Sequence, residues 1–226
     1  MAQTPVTLIR NLQRRNARRR QPLAVVEGVR LAEEALGAEL SFKGAAVSPA
    51  LGRSERGAAL LDDLRHAGVP IEEVDDHELS DLADTDTPQG IVAVVAPPEW
   101  QLTDLAVGAG KPVLVLDAVQ DPGNVGTLLR TAYALGAGGV ILLPGNARLT
   151  HPKVLRAAMG VSFRLPTVPL SLPGFRKWLD DLGGESEQLP DDAFRGVEAF
   201  RETGVARGER RIVGDDQVRR PAAGRA

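Results

Sequence analysis

Short apolar runs alternating with helix-patterned segments limit what this chain can fold into more than anything else in it. LAVVE (23–27), AAVSP (45–49), VPIEEV (69–74), GIVAVVA (90–96), PVLVLDAV (112–119) and GGVILLP (138–144) are bounded by turn residues and built largely on β-branched side chains, which is how strands read. Between them VRLAEEALG (29–37), residues 55–67, HELSDLAD (77–84), VGTLLRTAYALG (125–136) and the stretch from His151-Pro152 to Gly160 place apolar residues three and four apart, as helices do. Residues 6–20 (VTLIRNLQRRNARRR) read as a basic helix closed by Pro22, FRLPTVPL (163–170) as a further strand and LPGFRKWLDDL (172–182) as a further helix. Strand alternating with helix predicts an α/β fold around a largely buried sheet.

The stretch PEWQLTDLAVGAG, bracketed by proline and glycine, reads as a linker over 98–110. It separates a first α/β domain, 1–97, from a second, 111–182. After residue 182 the remaining 44 residues hold eight arginines, no lysine and no clear strand. DDAFRGVEAFRE (191–202) has the spacing of one helix, and the polar stretch from residue 207 reads as disordered.

Composition narrows the function by exclusion. With no cysteine, disulfides, cysteine zinc sites and thiol catalysis are ruled out. No apolar run reaches membrane-spanning length, and the basic start lacks a following apolar segment, so a soluble cytoplasmic protein is expected. The net charge of −3 does not suggest a nucleic-acid binder, but its distribution does. The first 22 residues hold six arginines, among them Arg15, Arg18, Arg19 and Arg20, and no acid, which favours phosphate contact.

The strongest local signal is LDAVQDPGNVGTLLRTAYALGA (116–137): a buried strand, a turn at DPGN (121–124), then a helix. Such junctions bind ligands because strand ends and helix N-termini present free backbone groups. At the turn and the start of the helix only Gly123 and Gly126 occur, three apart. The segment is therefore neither the G-x-G-x-x-G dinucleotide fingerprint nor a Walker loop, which argues against an oxidoreductase. Asn124 sits where it caps the helix and faces a ligand, and Arg130 lies about two turns on. Asp117 and Asp121 read as strand end and turn, not as a metal pair. Glu27 reads as a first-turn helix acid. His151 reads as a loop residue, and His66 and His77 as surface. Lys153 and Arg156, on the following helix, are candidate phosphate contacts.

Three segments carry a resemblance to a known family. LDAVQDPGNVGTLLRTA (116–132) resembles the first signature motif of SpoU-type RNA 2'-O-ribose methyltransferases of the SPOUT superfamily. LLPGNARLTHPKVLRAAMGVSFRLP (142–166) is similar to the segment that follows it there. LAVVEGVRLAEEAL (23–36) and DTPQGIVAVV (86–95) resemble the family's ribosomal-protein-like RNA-binding domain. The resemblance implies an RNA-binding α/β domain followed by a SPOUT-type parallel-sheet domain. It implies transfer of a methyl group from S-adenosylmethionine to a ribose 2'-hydroxyl, most naturally in rRNA, by a homodimer. It casts Arg130 as the activating residue, Asn124 as a positioning residue, and Leu143 and Gly145 as donor contacts. A guanidinium stays protonated, so orientation and phosphate clamping suit Arg130 better than proton abstraction.

The family's last motif and knot-forming helix have no counterpart after residue 182, where IVGDDQ (212–217) is only a faint echo. The expectation is an incomplete knot and a loosely packed second domain, since uncovered apolar sheet forfeits roughly 25 cal/mol per Å². A methyltransferase and an RNA-binding protein without transfer activity both remain open on the sequence.

Overall fold

The computed structural model describes residues 3–13, 23–107 and 111–182, together with the backbone of 203–206 and 209–212. Two compact units emerge, and neither is one continuous stretch. The first joins the chain up to Glu99 with Pro122–Arg130 and Ala147–Arg164; the second joins Trp100–Asp121, Thr131–Asn146 and the chain from Leu165 onward.

The first unit is built on a mixed sheet of β1 (Ala24–Glu27), β2 (Ser41–Val47), β3 (Ile71–Glu73) and β4 (Ile91–Ala96), in the order β1-β4-β2-β3. β4 runs antiparallel to both β1 and β2, and β3 is parallel to β2. β4 shows why an unbroken apolar run marks an inner strand. Its side chains alternate between faces: Ile91, Ala93 and Val95 enter one core, while Val92 and Val94 enter another. The second core is covered by α1 (Pro5–Gln13), which buries Val6, Ile9 and Leu12 three residues apart, and by Leu79 and Leu82 of α4 (Asp76–Leu82). The first core is covered by α2 (Val29–Gly37) and α3 (Glu55–His66), through Ala32, Ala35, Leu60 and Leu64. Leu155 and Phe163, from far along the chain, complete it. Ser54 caps α3 by accepting from the Gly57 amide at 3.0 Å, and Asp75 caps α4 by accepting from Glu78 at 2.7 Å, each satisfying a helix amide that would otherwise lack a partner.

The second unit holds a parallel sheet, β5 (Val113–Leu116), β6 (Gly139–Leu142) and β7 (Thr167–Pro169), in that order. All four residues of β5 and of β6 are buried, so both faces of these strands are covered. One face packs on α7 (Leu172–Asp181) through Phe175, Trp178 and Leu179; the Phe175 and Trp178 rings stack with centroids 6.0 Å apart.

The stretch read as a linker is largely part of this core. Trp100, Leu102, Leu105 and Val107 pack on the core, and the Ala106 amide donates to the Gly138 carbonyl at 2.9 Å. Four apolar residues in eight outweigh the flanking prolines and glycines. The chain up to Glu99 falls in the first unit, and residues 122–130 and 147–164 fall there too.

In the tail, β8 (Thr203–Ala206) and β9 (Glu209–Ile212) pair antiparallel. Strands were not expected there, and part of the stretch read as disordered is therefore paired. The helix expected at 191–202, the basic run at 14–20 and most of the knot region lie outside the described residues. No helix among the described residues is long and apolar enough to cross a membrane.

Candidate active site

The signature segment is more helical than its residue types suggest. α5 begins at Pro122 and runs to Ala134. The proposed turn at 121–124 is thus already the helix's first turn, because proline suits the first helical position. Asn124 is the third residue of that helix and exposed, so it stands inside the helix and not at its cap.

Gly126 sets the position of everything that follows. A Cβ there would stand 2.5 Å from the Ala157 Cβ and 2.6 Å from the Val154 carbonyl oxygen. Both atoms belong to α6 (Pro152–Ala158), and no side chain larger than hydrogen fits between the two helices. Four residues on, roughly one turn along the same helix face, Arg130 donates from Nη1 to the Met159 sulfur at 3.1 Å. Met159 ends α6 in the left-handed conformation (φ 52), its amide donating to the Leu155 and Arg156 carbonyls. Gly160 follows at φ 84, tight against Glu34. A thioether is a weak and neutral acceptor. It fixes the direction of the guanidinium without cancelling its charge, and no carboxylate among the described residues pairs with Arg130.

Arg156 is a different case. Its Nη2 donates to the Asp84 carboxylate at 2.8 Å, and its Nη1 lies 3.7 Å from that of Glu27. Its side chain is 32% exposed and that of Glu27 only 6%. Glu27 is the last residue of β1, not a helix acid, and accepts from the Asp84 amide at 2.8 Å and from the Thr85 hydroxyl. Arg156 therefore neutralises a buried carboxylate and is not spare for phosphate, which corrects its expected role. Lys153 is exposed on α6. His151 caps that helix, accepting at Nδ1 from the Lys153 amide at 3.1 Å. The arginines at 15, 18, 19 and 20 lie outside the described residues.

These roles separate in experiment. Arg156→Ala leaves the Glu27 carboxylate without its counter-charge and is expected to cost about 1–3 kcal/mol in urea unfolding, less than a fully buried pair would, because the arginine is partly in water. It should leave the salt dependence of RNA binding unchanged. Lys153→Ala, at an exposed position, should cost no more than about 1 kcal/mol and lower the log–log salt slope by about 1. A reversed pattern would restore Arg156 as the phosphate contact.

In the second unit the parallel strands end at loops 117–121 and 143–146. Asn146 ties them together: its Oδ1 accepts from the Val119 amide at 2.8 Å, and its Nδ2 donates to the Leu116 and Leu143 carbonyls at 2.9 and 2.6 Å. The sequence reading passed over Asn146, though an asparagine two residues after a proline at a strand end is a turn signal. Leu143, expected to touch the methyl donor, is 3% exposed in the core, and both its backbone groups are bonded within the protein; its role is structural. Gly145 is exposed at φ 94, facing Ala118, itself left-handed at φ 53. A Cβ on Gly145 would come within 3.1 Å of the Ala118 Cβ, so this edge offers backbone rather than side chains.

A parallel sheet entered through a strand–turn–helix, accompanied by a mixed-sheet unit, is the α/β arrangement that the resemblance to SPOUT methyltransferases predicts. The comparisons agree. The AdoMet-bound rRNA methyltransferase from Sinorhizobium meliloti superposes with a TM-score of 0.66 at 28% identity, over 77% of this chain and 64% of that one. The SpoU methyltransferase AviRb from Streptomyces viridochromogenes, in complex with AdoMet, gives 0.67 at 28% identity, over 76% and 65%. Residues 4–93 match the MRM3-like substrate binding domain, and residues 111–186 match the SpoU rRNA Methylase family. The 23S rRNA (guanosine(2553)-2'-O)-methyltransferase RlmP of Bacillus subtilis is 33% identical over 192 residues, 85% of this chain and 71% of that protein. Human mitochondrial rRNA methyltransferase 3 is 38% identical over 119 residues, but the match spans only 28% of its length. The chain belongs to the SpoU rRNA methylase family.

Proposed function

We propose that this chain transfers a methyl group from S-adenosylmethionine to a ribose 2'-hydroxyl of ribosomal RNA, acting as a homodimer in the cytoplasm. The observation that carries the reading is Arg130: an exposed guanidinium on the signature helix, aimed by a neutral sulfur and paired with no carboxylate among the described residues. It suits the phosphate beside the reacting hydroxyl, which it grips and orients by charge-assisted hydrogen bonds. The hydroxyl proton leaves to that phosphate or to water, since a guanidinium has no site to accept it.

The described residues fit one side of a methyl-donor site. The Gly145–Ala118 contact leaves an open backbone edge, with Asn146 bracing both loops. The backbone of residues 144–146 and 118–119 would hold the donor, which supplies the electrophilic methyl. The dimer rests on the family resemblance. The compartment is part of the same reading, the place where ribosomal RNA would be met as substrate. An RNA binder without transfer activity draws support only from the unmatched tail, whereas the relatives carry methyltransferase names.

The test uses the whole chain. Titration calorimetry should show micromolar S-adenosylmethionine binding, and label from the methyl group should enter rRNA at a ribose. A 2'-O-methyl blocks alkaline cleavage of the adjoining phosphodiester, so a labelled dinucleotide should survive alkali. Label on a base, or no binding by a folded sample, would sink the proposal.

A further inference from the structure

Met159 occupies a position that its backbone does not favour. It ends α6 in the left-handed conformation, φ 52 and ψ 43, where glycine or asparagine is the usual residue. A strained residue held in place points to a use for its side chain. The backbone around it is pinned. Its amide donates to the Leu155 and Arg156 carbonyls, and a Cβ on the following Gly160 would stand 2.5 Å from that of Glu34. The side chain is half-buried, with its sulfur 3.1 Å from Arg130 Nη1.

Met159 also lines a cleft of about 150 Å³ where β1 runs into α2, together with Gly28 and Leu31. A water-sized group needs roughly 10–15 Å³ of such volume. The cleft therefore admits a small uncharged molecule to this side chain and has room for one added atom. Sulfur chemistry has few other outlets here. The chain has no cysteine, and its two methionines are Met1 and Met159. Met159 is the one sulfur-bearing side chain among the described residues.

We propose that Met159 is a modification site, oxidised by hydrogen peroxide to a sulfoxide that captures Arg130. A sulfur lone pair attacks one peroxide oxygen, and the O–O bond breaks. The proton on the transferred oxygen joins the departing hydroxide, which leaves as water. Sulfur is oxidised by two electrons and the peroxide is reduced by two. A polar, chiral sulfoxide replaces the thioether. The thioether is a weak acceptor, which leaves the guanidinium available to a phosphate. The sulfoxide oxygen is a strong, dipolar acceptor and competes for the same N–H groups. Capture follows from the geometry; its consequence, a weakened phosphate grip, rests on the RNA-methyltransferase reading. Methyl transfer then falls on oxidation and recovers on reduction.

The test uses the full chain. Hydrogen peroxide is added with N-acetylmethionine amide as an internal reference, and mass spectrometry of a digest follows the oxygen. Met159 should gain one oxygen as the reference does. The A and B methionine sulfoxide reductases together should remove it, one for each epimer. In 15N spectra the Arg130 Nε–H signal, identified by its absence from Arg130→Ala, should shift and exchange more slowly with water after oxidation. Met159→Leu retains Met1 and, with its amide spectrum otherwise preserved, should show no such change. Methyl transfer by the oxidised chain should fall about tenfold, the weight of one charge-assisted hydrogen bond, and reductase treatment should restore it. A Met159 that stays reduced while the reference is consumed would overturn the proposal. So would an Arg130 signal unmoved by complete oxidation, or undiminished transfer by a fully oxidised chain. A chain that transfers no methyl but shows the Arg130 shift refutes the activity alone.

Discussion

Replacing Arg130 with alanine is expected to lower methyl transfer to rRNA by about 10²–10³-fold, the range seen when one preorganised charge-stabilising donor is removed. Stability should barely change. The side chain is exposed, and its contact within the described residues is a thioether, a weak acceptor that loses little when left alone. Arg130→Lys keeps the charge but loses the planar fork that engages two phosphate oxygens at once, so a loss of roughly tenfold is expected. The ordering wild type, lysine, alanine is diagnostic, measured as single-turnover transfer with binding of S-adenosylmethionine followed separately. Donor affinity should not move. If the alanine variant transfers at the wild-type rate, or if its donor affinity collapses in parallel, Arg130 is not the phosphate clamp.

Gly126→Val should have the largest effect on stability, and Gly126→Ala gives the cleaner sign. Alanine at an ordinary helix position is favoured over glycine by about 1 kcal/mol, so an open site would yield a more stable protein. Here the added Cβ meets the Ala157 Cβ at 2.5 Å and the Val154 carbonyl at 2.6 Å. Backbone cannot step aside as a side-chain tip does, so α5 and α6 must separate. Overpacking of this kind costs typically about 1–3 kcal/mol, and valine should reach or exceed the top of that range. Activity should fall further than stability implies, because Arg130 moves away from Met159 and a shift of about 1 Å can cost as much as 10²-fold. Urea unfolding and the transfer assay together decide it. A Gly126→Ala variant as stable and as active as wild type would contradict the close approach.

Much of this architecture was legible from local pattern. α2 occupies the stretch its spacing indicated, Val29–Gly37, and β4 lies within the apolar run 90–96, because both signals are carried inside the element itself. Resemblance alone singles out Asn124 and Arg130, and the same resemblance pointed to the family. What escaped were the roles set by distant partners. Arg156 looked like a phosphate contact because nothing near it in sequence opposes its charge; its carboxylates come from Glu27 and Asp84, the latter 72 positions away. Glu27 looked like a helix acid because Val29 starts a helix two residues later. Leu143 looked like a ligand contact because a strand end is where ligands bind, but its side chain turns into the core. Residues 98–110 looked like a linker because proline and glycine dominate its ends, while Trp100, Leu102 and Leu105 carry its packing.

The interleaving of the two units bears on how the chain is made. Leu155 and Phe163 sit in one core with Ala24, Val26 and Ala93, and Arg164 reaches Glu34 across 130 positions. A nascent chain that has emerged only to Glu99 still lacks those two plugs. It closes its first core only after β5, α5 and β6 have also been synthesised. The two halves therefore mature together rather than in succession. A gene fusion that carried off residues 1–99 as a ready-made RNA-binding module would export a core with one side open.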